Sequence, residues 1–247
     1  MLRRRREGSI LVLTLDRPEV RNAISRDLAE MLVSAIEDAS RDRTVTAIVL
    51  ASSHAQVFVA GGDLRELLAL PYDARGAEAV LELGATTSAL EEAAVPVIAA
   101  LDGAALGGGA ELTVACDLVV MGRQARVQFV HARMGLVPAW GGLTRLEEKV
   151  GAARASELIL TARAVHATDA VAMGLANRSA EHGREAALDL ARELTTHTRD
   201  ALVALKASLR EARRRKRSDA LEAEREAFRR AWGSDAHRAA FDALRER

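Results

Sequence analysis

One cysteine, four prolines and seven aromatic residues (two Trp, one Tyr, four Phe) stand among 247 positions, and each shortage removes a class of protein. Cys116 has no second cysteine to bridge, and no Cys/His cluster carries zinc spacing, so disulfide-held scaffolds and zinc modules are excluded. The expectation is a reducing, cytoplasmic setting with no metal. So few aromatics cannot tile a stacking surface for single-stranded nucleic acid. An excess of charge is also missing. Thirty-five Lys plus Arg balance thirty-five Asp plus Glu, so no overall field gathers nucleic acid or an anionic membrane. Long hydrophobic runs are absent too: the longest resemble Val95 to Leu101, far below the roughly 20 residues that span a bilayer. Arg3 to Arg6 have the charge of a targeting segment. The apolar stretch behind them, Ile10 to Leu15, breaks at Asp16 and is too short for a signal-peptide core.

What the chain does have is 49% apolar content, chiefly Ala, Leu and Val, enough for one substantial core. Intrinsic disorder is excluded for most of its length. Ser9 to Leu15 is aliphatic and ends at Asp16-Arg17-Pro18, which predicts a strand and then a loop. Leu28, Met31, Leu32, Ala35, Ile36 and Ala39 recur at three and four residues, a helical stripe with Ser25 or Asp27 as its cap. Val45 to Ala51 is again of strand length. Strand, helix and strand in that order form the unit of a parallel sheet. The alternation returns with a helix over roughly Gly76 to Ala93, a strand at Val95 to Leu101, a short helix opening at Gly107 to Gly109, and a strand at Leu118 to Met121. The fold class is therefore α/β. Beyond Gly142, helix-forming residues dominate, with strand fragments only near Leu175 to Arg178. A boundary near residue 190 divides a core, 1–190, from a helical region, 191–247. Within the latter, Lys206 to Arg217 holds seven basic residues and one acid, Glu211, which reads as a solvated helix face or as a phosphate-binding patch.

Chemistry concentrates at two glycine clusters, Gly61-Gly62 and Gly107-Gly108-Gly109. Each follows a predicted strand and opens a predicted helix, where the first amides lack an internal acceptor and the helix dipole is positive. Such amides can hold an oxyanion. Neither cluster has dinucleotide or P-loop spacing, and no nucleophile elbow is present. Glu111 lies three residues after Gly108, on the same helical face and among apolar neighbours, so a buried acid or base would stand beside the electrophilic amide. Alternatively, the glycines make tight turns and the carboxylate merely complements the helix dipole.

Asp16 to Ala23 (DRPEVRNA), Val57 to Leu64 (VFVAGGDL), Pro96 to Ala100 (PVIAA), Leu106 to Leu112 (LGGGAEL) and Met134 to Pro138 (MGLVP), in this order, resemble the crotonase superfamily, the enoyl-CoA hydratase/isomerase family. The likeness runs from about Ile10 to Ala180. It implies a spiral of ββα units with a C-terminal helical trimerisation region that also covers the active site, and assembly as a homotrimer or hexamer. It also implies an acyl-CoA thioester substrate, coenzyme A being part of that substrate and no separate cofactor being needed. Carried over by position, the oxyanion donors are the amides of Gly62 and Gly108, and Glu111 is the first catalytic glutamate. Arg21, Asn22, Ala23, Ala60 and Asp63 would lie along the coenzyme A moiety, largely through backbone.

One position departs from the family pattern. Where hydratases carry a second glutamate, this chain has His131, which can transfer protons or serve only as a hydrogen-bonded support. Loss of carbon dioxide from a malonyl-type thioester needs only the oxyanion hole and one proton donor, and a second carboxylate would repel the substrate. Phe129 to His131 and Trp140 to Leu146 locally resemble ethylmalonyl-CoA decarboxylases. The expectation leans to decarboxylation of a short ethylmalonyl- or methylmalonyl-type thioester, ahead of hydration or isomerisation of an enoyl thioester. Trp140 replaces a residue that is often small near the acyl chain, so it either shortens the pocket or packs on the helix at Gly142. From another class, the fold could persist as an inactive scaffold that binds coenzyme A or RNA.

Overall fold

Strands and helices wind into a spiral in the computed structural model, which describes residues 1–214 and 218–245. The end of the basic segment, residues 215–217, lies outside the described residues. The chain opens with a hairpin in which β1 (Leu2–Glu7) runs antiparallel to β2 (Ile10–Leu15). β1 is an addition to the expected order. Its arginines, Arg3 to Arg6, are all exposed on the sheet edge, and Arg3, Arg4 and Arg6 pair with Asp16, Asp38 and Asp42. A charged edge discourages pairing with another chain.

Helix α1 (Arg26–Arg41) follows, and the Ser25 hydroxyl caps it by accepting the Leu28 N–H at 3.3 Å. Leu28, Leu32, Ala35, Ile36 and Ala39 are buried as the periodicity predicts, whereas Met31 is 36% exposed at the rim of the stripe.

Three ββα turns come next. The first contains β3 (Ala47–Ser52) and β4 (Val57–Val59), then α2 (Leu64–Leu67), α3 (Ala74–Glu82) and α4 (Ala85–Glu92). The second contains β5 (Val97–Leu101), β6 (Ala104–Leu106) and α5 (Gly108–Ala115). The third contains β7 (Leu118–Gly122), β8 (Arg126–Gln128), a 3-10 segment at Val130–Met134, and the helices α6 (Gly142–Val150) and α7 (Ala152–Thr161). The single helix expected over Gly76 to Ala93 is split at Gly84, where a side chain would meet Trp140 Cδ1 at 3.3 Å.

In each turn the first strand enters one sheet and the second strand another. β3, β5 and β7 run parallel in a six-stranded sheet of order β1-β2-β3-β5-β7-β10, and β4, β6 and β8 run parallel in a four-stranded sheet of order β4-β6-β8-β9. Short elements complete both sheets: β9 (Val165–His166), α8 (Ala167–Met173) and β10 (Arg178–Ala180). A helix, α9 (Gly183–Leu194), covers one face of the large sheet, with Ala187, Leu188, Leu190 and Ala191 against Ile10, Val12, Val49 and Ile98.

Three more helices end the described chain: α10 (Arg199–Arg214), α11 (Ser218–Ala231) and α12 (Asp235–Arg245). They are not a free basic arm. Lys206 is 6% exposed, pairs with Asp117 at 2.6 Å and donates to the Leu90 and Val95 carbonyls. α11 and α12 return to the core through buried Phe228 and Phe241, and Trp232 donates to the Pro71 carbonyl at 3.0 Å. Among the described residues, no helix is long and apolar enough to cross a membrane.

Cys116 ends α5, fully enclosed, with its thiol against the Leu112 carbonyl at 3.4 Å. Burial, with the Asp117 charge added, pushes this thiol up to about 12. Thiolate is the reactive form, so Cys116 should resist a disulfide-exchange reagent at pH 8 in the native protein and react once guanidinium unfolds it. Rapid native labelling, followed by absorbance of the released chromophore, would contradict the packing described.

Candidate active site

Parallel pairing of β4 with β6, and of β6 with β8, brings the residues that follow each strand to one corner of the spiral. Gly61-Gly62 follow β4, Gly107-Gly108 follow β6, and Val130-His131 follow β8. Gly61 has φ 113° and Gly107 has φ 51°, conformations that a side chain rarely adopts. At these bends the chain leaves the sheet, and α5 starts directly at Gly108.

The two amides of interest are free for the same local reasons. Ile24 bridges Gly62 by donating to the Gly61 carbonyl at 2.8 Å and accepting the Asp63 N–H at 2.9 Å, a parallel pattern that points the Gly62 N–H away. Gly108 is the first residue of α5, where no preceding carbonyl can reach its N–H. Among the described residues, neither amide has an internal acceptor. A Cβ added to Gly61 would stand 3.7 Å from Gly108 N, a measure of how close the two corners come.

Glu111 is 1% exposed, one turn into α5. Its Oε2 accepts the Trp140 and Gly142 amides at 2.8 and 2.9 Å, and its Oε1 faces the Ala139 amide at 3.4 Å and His131 Nε2 at 3.1 Å. These donors match an acceptor-only carboxylate. The other ring nitrogen of His131, Nδ1, is buried and has no partner among the described residues. Gly142 must be glycine, because a Cβ there would lie 2.3 Å from Glu111 Cγ.

Ala60, Gly62, Gly108, Glu111, His131 and Trp140 line one cavity of about 210 Å³. Its remaining wall is apolar and includes Val80 from α3, Phe228 from α11 and Phe241 from α12. The chain's own terminal helices thus cover it. Trp140 is fixed at three points: its amide on Glu111, its ring nitrogen on the Val80 carbonyl at 2.9 Å, and its carbonyl accepting Thr87 Oγ1 and Arg145 Nη1, each at 2.7 Å.

The remaining sequence candidates flank this cavity. Ala60 N–H donates to the Arg21 carbonyl at 3.1 Å, which ties the Arg21-Asn22-Ala23 turn to the first glycine corner. Asn22 is fully buried, and its side chain is spent on Arg17 N–H, Ser52 Oγ and the Phe58 carbonyl. Asp63 pairs with Arg17 at 2.9 Å and caps α2 through the Arg65 amide, so its carboxylate braces the loop. The Arg21 side chain is exposed. Sequence reasoning missed the Ala139, Trp140 and Gly142 amides as the grip on Glu111, and the two phenylalanines from the terminal helices. Only Gly141-Gly142, a pair before a helical run, signalled any of it. Among the described residues, no group of three or more His, Cys, Asp and Glu could hold a metal ion.

Comparison with known proteins places this geometry. The model of a family described as Enoyl-CoA hydratase/isomerase matches residues 5–247. Methylglutaconyl-CoA hydratase of Rattus norvegicus is 36% identical over 190 residues, 74% of this chain and 60% of that protein, so the match spans less than two thirds of that relative. The 2,3-dehydroadipyl-CoA hydratase of Escherichia coli is 34% identical over 225 residues, covering 90% of this chain and 87% of that protein. A crystal structure of an enoyl-CoA hydratase/isomerase from Mycobacterium paratuberculosis superposes with a TM-score of 0.91 at 27% identity, over 98% of each chain.

The two glycine corners should differ in tolerance. An alanine Cβ at Gly108 would fall 2.2 Å from the anchored Trp140 ring, while at Gly62 it would meet only the end of the Leu67 side chain at 2.9 Å. Gly108→Ala is expected to cost about 1–3 kcal/mol of stability and Gly62→Ala clearly less. Thermal unfolding of both variants checks the order, and equal losses would mean that the indole is free to swing aside.

Proposed function

Because the chain belongs to the enoyl-CoA hydratase/isomerase family, we propose that it adds water across the double bond of a short-chain enoyl-CoA thioester at the corner where Gly62, Gly108, Glu111 and His131 meet. One observation carries this reading: two unspent amides and a joined Glu111–His131 pair open on the same cavity. The thioester oxygen accepts both amides, which stabilise the negative charge it gains as the α-carbon becomes enolate-like. Water bonds to the β-carbon and gives a proton to the pair, the double-bond electrons move to the enolate, and the pair returns a proton to the α-carbon. The same proton shuttle without water is isomerisation.

The dimensions suit a short acyl group. Trp140 stacks over Gly108, and Val80, Phe228 and Phe241 close the apolar wall, leaving little room beyond a few carbons. Coenzyme A itself would run past the Arg21 to Ala23 turn and Ala60 at the cavity edge. The corresponding proposal for assembly is a homotrimer or hexamer, which sedimentation reads directly.

A second reading rests on His131, which stands where a second carboxylate would be needed for two-carboxylate hydration. In decarboxylation of an ethylmalonyl- or methylmalonyl-type thioester, the C–C bond electrons pass to the enolate as carbon dioxide leaves, and one proton finishes the product. The same oxyanion hole serves both reactions. The names of the relatives favour hydration.

Crotonyl-CoA, ethylmalonyl-CoA and methylmalonyl-CoA offered in parallel separate the two. The expected outcome is loss of enoyl absorbance with crotonyl-CoA, reduced roughly 100- to 10,000-fold by Glu111→Gln with thioester binding retained. Carbon dioxide release from a malonyl-type substrate, with crotonyl-CoA untouched, would overturn hydration in favour of the second reading. Turnover unchanged in Glu111→Gln would remove that residue from the chemistry.

A further inference from the structure

The first turn of α6 is shared by two carboxylates. Its first amide, Gly142 N–H, donates to Glu111 at 2.9 Å. Its second and third, Leu143 and Thr144 N–H, donate to the two oxygens of Glu224 at 3.0 Å each, and the Thr144 hydroxyl adds a bond of 2.8 Å. Helix starts usually take a cap from the residue just before them. Here that residue is Gly141, which has no side chain to offer, and the cap comes from α11, some eighty residues on.

Glu224 is 4% exposed, so it is a fixed part of the interior. One turn further along α11, Phe228 forms part of the cavity wall, and one turn beyond that Trp232 bonds the Pro71 carbonyl. The register of the covering helix and the end of the helix that grips Glu111 are therefore set by the same side chain.

We propose that Glu224 is a positioning residue for proton transfer at Glu111: by occupying the second and third amides of α6, it holds the first amide and the Trp140 turn on Glu111 and seats Phe228 on the cavity. The inference rests on the reading of Glu111 as the proton-transfer group.

Electrostatics ties the two carboxylates as well. Burial, and after it the Glu111 charge, holds the Glu224 carboxyl above the ordinary carboxylate range, while the Thr144 and Leu143 donors oppose that shift. Among the described residues, the other charged groups that line the same groove as Glu224 are Glu147 and Glu148 on α6 and Arg213 on α10. Neutralising Glu224 removes a like charge beside the site, which eases ionisation there. A cap with a purely structural role would leave the pH profile where it was.

The test is exchange of the α-protons of butyryl-CoA, a saturated short thioester, with deuterium oxide, since exchange reports the enolate whatever the net reaction. Glu224→Gln keeps the shape but turns an amide NH₂ toward N–H donors. It should lower exchange about tenfold and move the acidic limb of the profile to lower pH. Phe228→Ala, which opens the wall and leaves the amides alone, should raise KM without moving that limb. If Glu224→Gln fails to fold, Thr144→Val removes only the hydroxyl bond and should show the same effects in smaller measure. A wild-type rate and an unmoved limb in whichever variant folds would overturn the inference. Absence of exchange and turnover in the wild type would overturn the functional reading and this inference with it.

Discussion

Parallel registration of three very short strands, β4, β6 and β8, is the constraint on which the site depends. Val57 pairs with Ala104 and Ala104 with Arg126, so whatever follows these strands is stacked at one corner, however distant in sequence. The corner must be made of glycine because the backbone there does two things at once. It turns through conformations closed to side chains at Gly61 and Gly107, and it packs so tightly that a Cβ on Gly109 would lie 2.3 Å from the Val59 carbonyl. The pair of unspent amides is a by-product of that close approach. Just past the strands, Ala60 and Gly107 still donate to the Arg21 and Gln128 carbonyls, and it is Gly62 and Gly108 that keep their amides.

A buried carboxylate is expensive unless its oxygens are satisfied. Glu111 meets this demand with main-chain N–H groups from the Ala139 to Gly142 turn and with the His131 ring, so the turn and the side chain hold each other in place. The turn in turn depends on Trp140, whose carbonyl receives buried Arg145, itself paired with half-buried Glu91 at 2.8 Å. Charge at the site is thus supported from several elements, while the cavity wall opposite stays apolar. A low-dielectric wall strengthens every dipole aimed into the cavity.

The sequence made some of this legible and hid the rest for identifiable reasons. Gly61-Gly62, Gly107 to Gly109 and Glu111 could be read because a strand-to-helix turn is local and its unsatisfied amides follow from backbone geometry alone. The four-stranded sheet could not. Strands of three residues, such as Val57–Val59 and Arg126–Gln128, carry too little alternation to register as a pattern. β1 was masked by arginines whose charge suits an edge, and the helix over Gly76 to Ala93 gave no hint that it breaks at Gly84, where Trp140, far along the chain, packs close. The resemblance carries Asn22 and Asp63 over as contacts made largely through backbone, and the bracing done by their side chains was hidden because they reach strands and arginines that only the fold brings near. Glu224 escaped notice because a cap supplied by another helix leaves no local signature.

The third corner is where chemistry can change at least structural cost. The second corner holds Gly108 and Gly109 against the Trp140 ring and the Val59 carbonyl, and the first holds Gly61 through its positive φ, so replacing these residues disturbs the packing of the corner. His131 sits instead on a 3-10 segment, half-buried in the cavity wall, with its ring tilted against Phe129 and hydrogen-bonded to Glu111. Exchanging its imidazole for a carboxylate would alter the charge beside Glu111 and leave the strand register and both amides untouched. On the proposed function, the two amides would stabilise an enolate however it arises, by water addition, proton removal or loss of carbon dioxide. Which route dominates therefore follows from what the third corner presents to the substrate's α- and β-carbons, a choice of one side chain made on a scaffold that the strand pairing has already fixed.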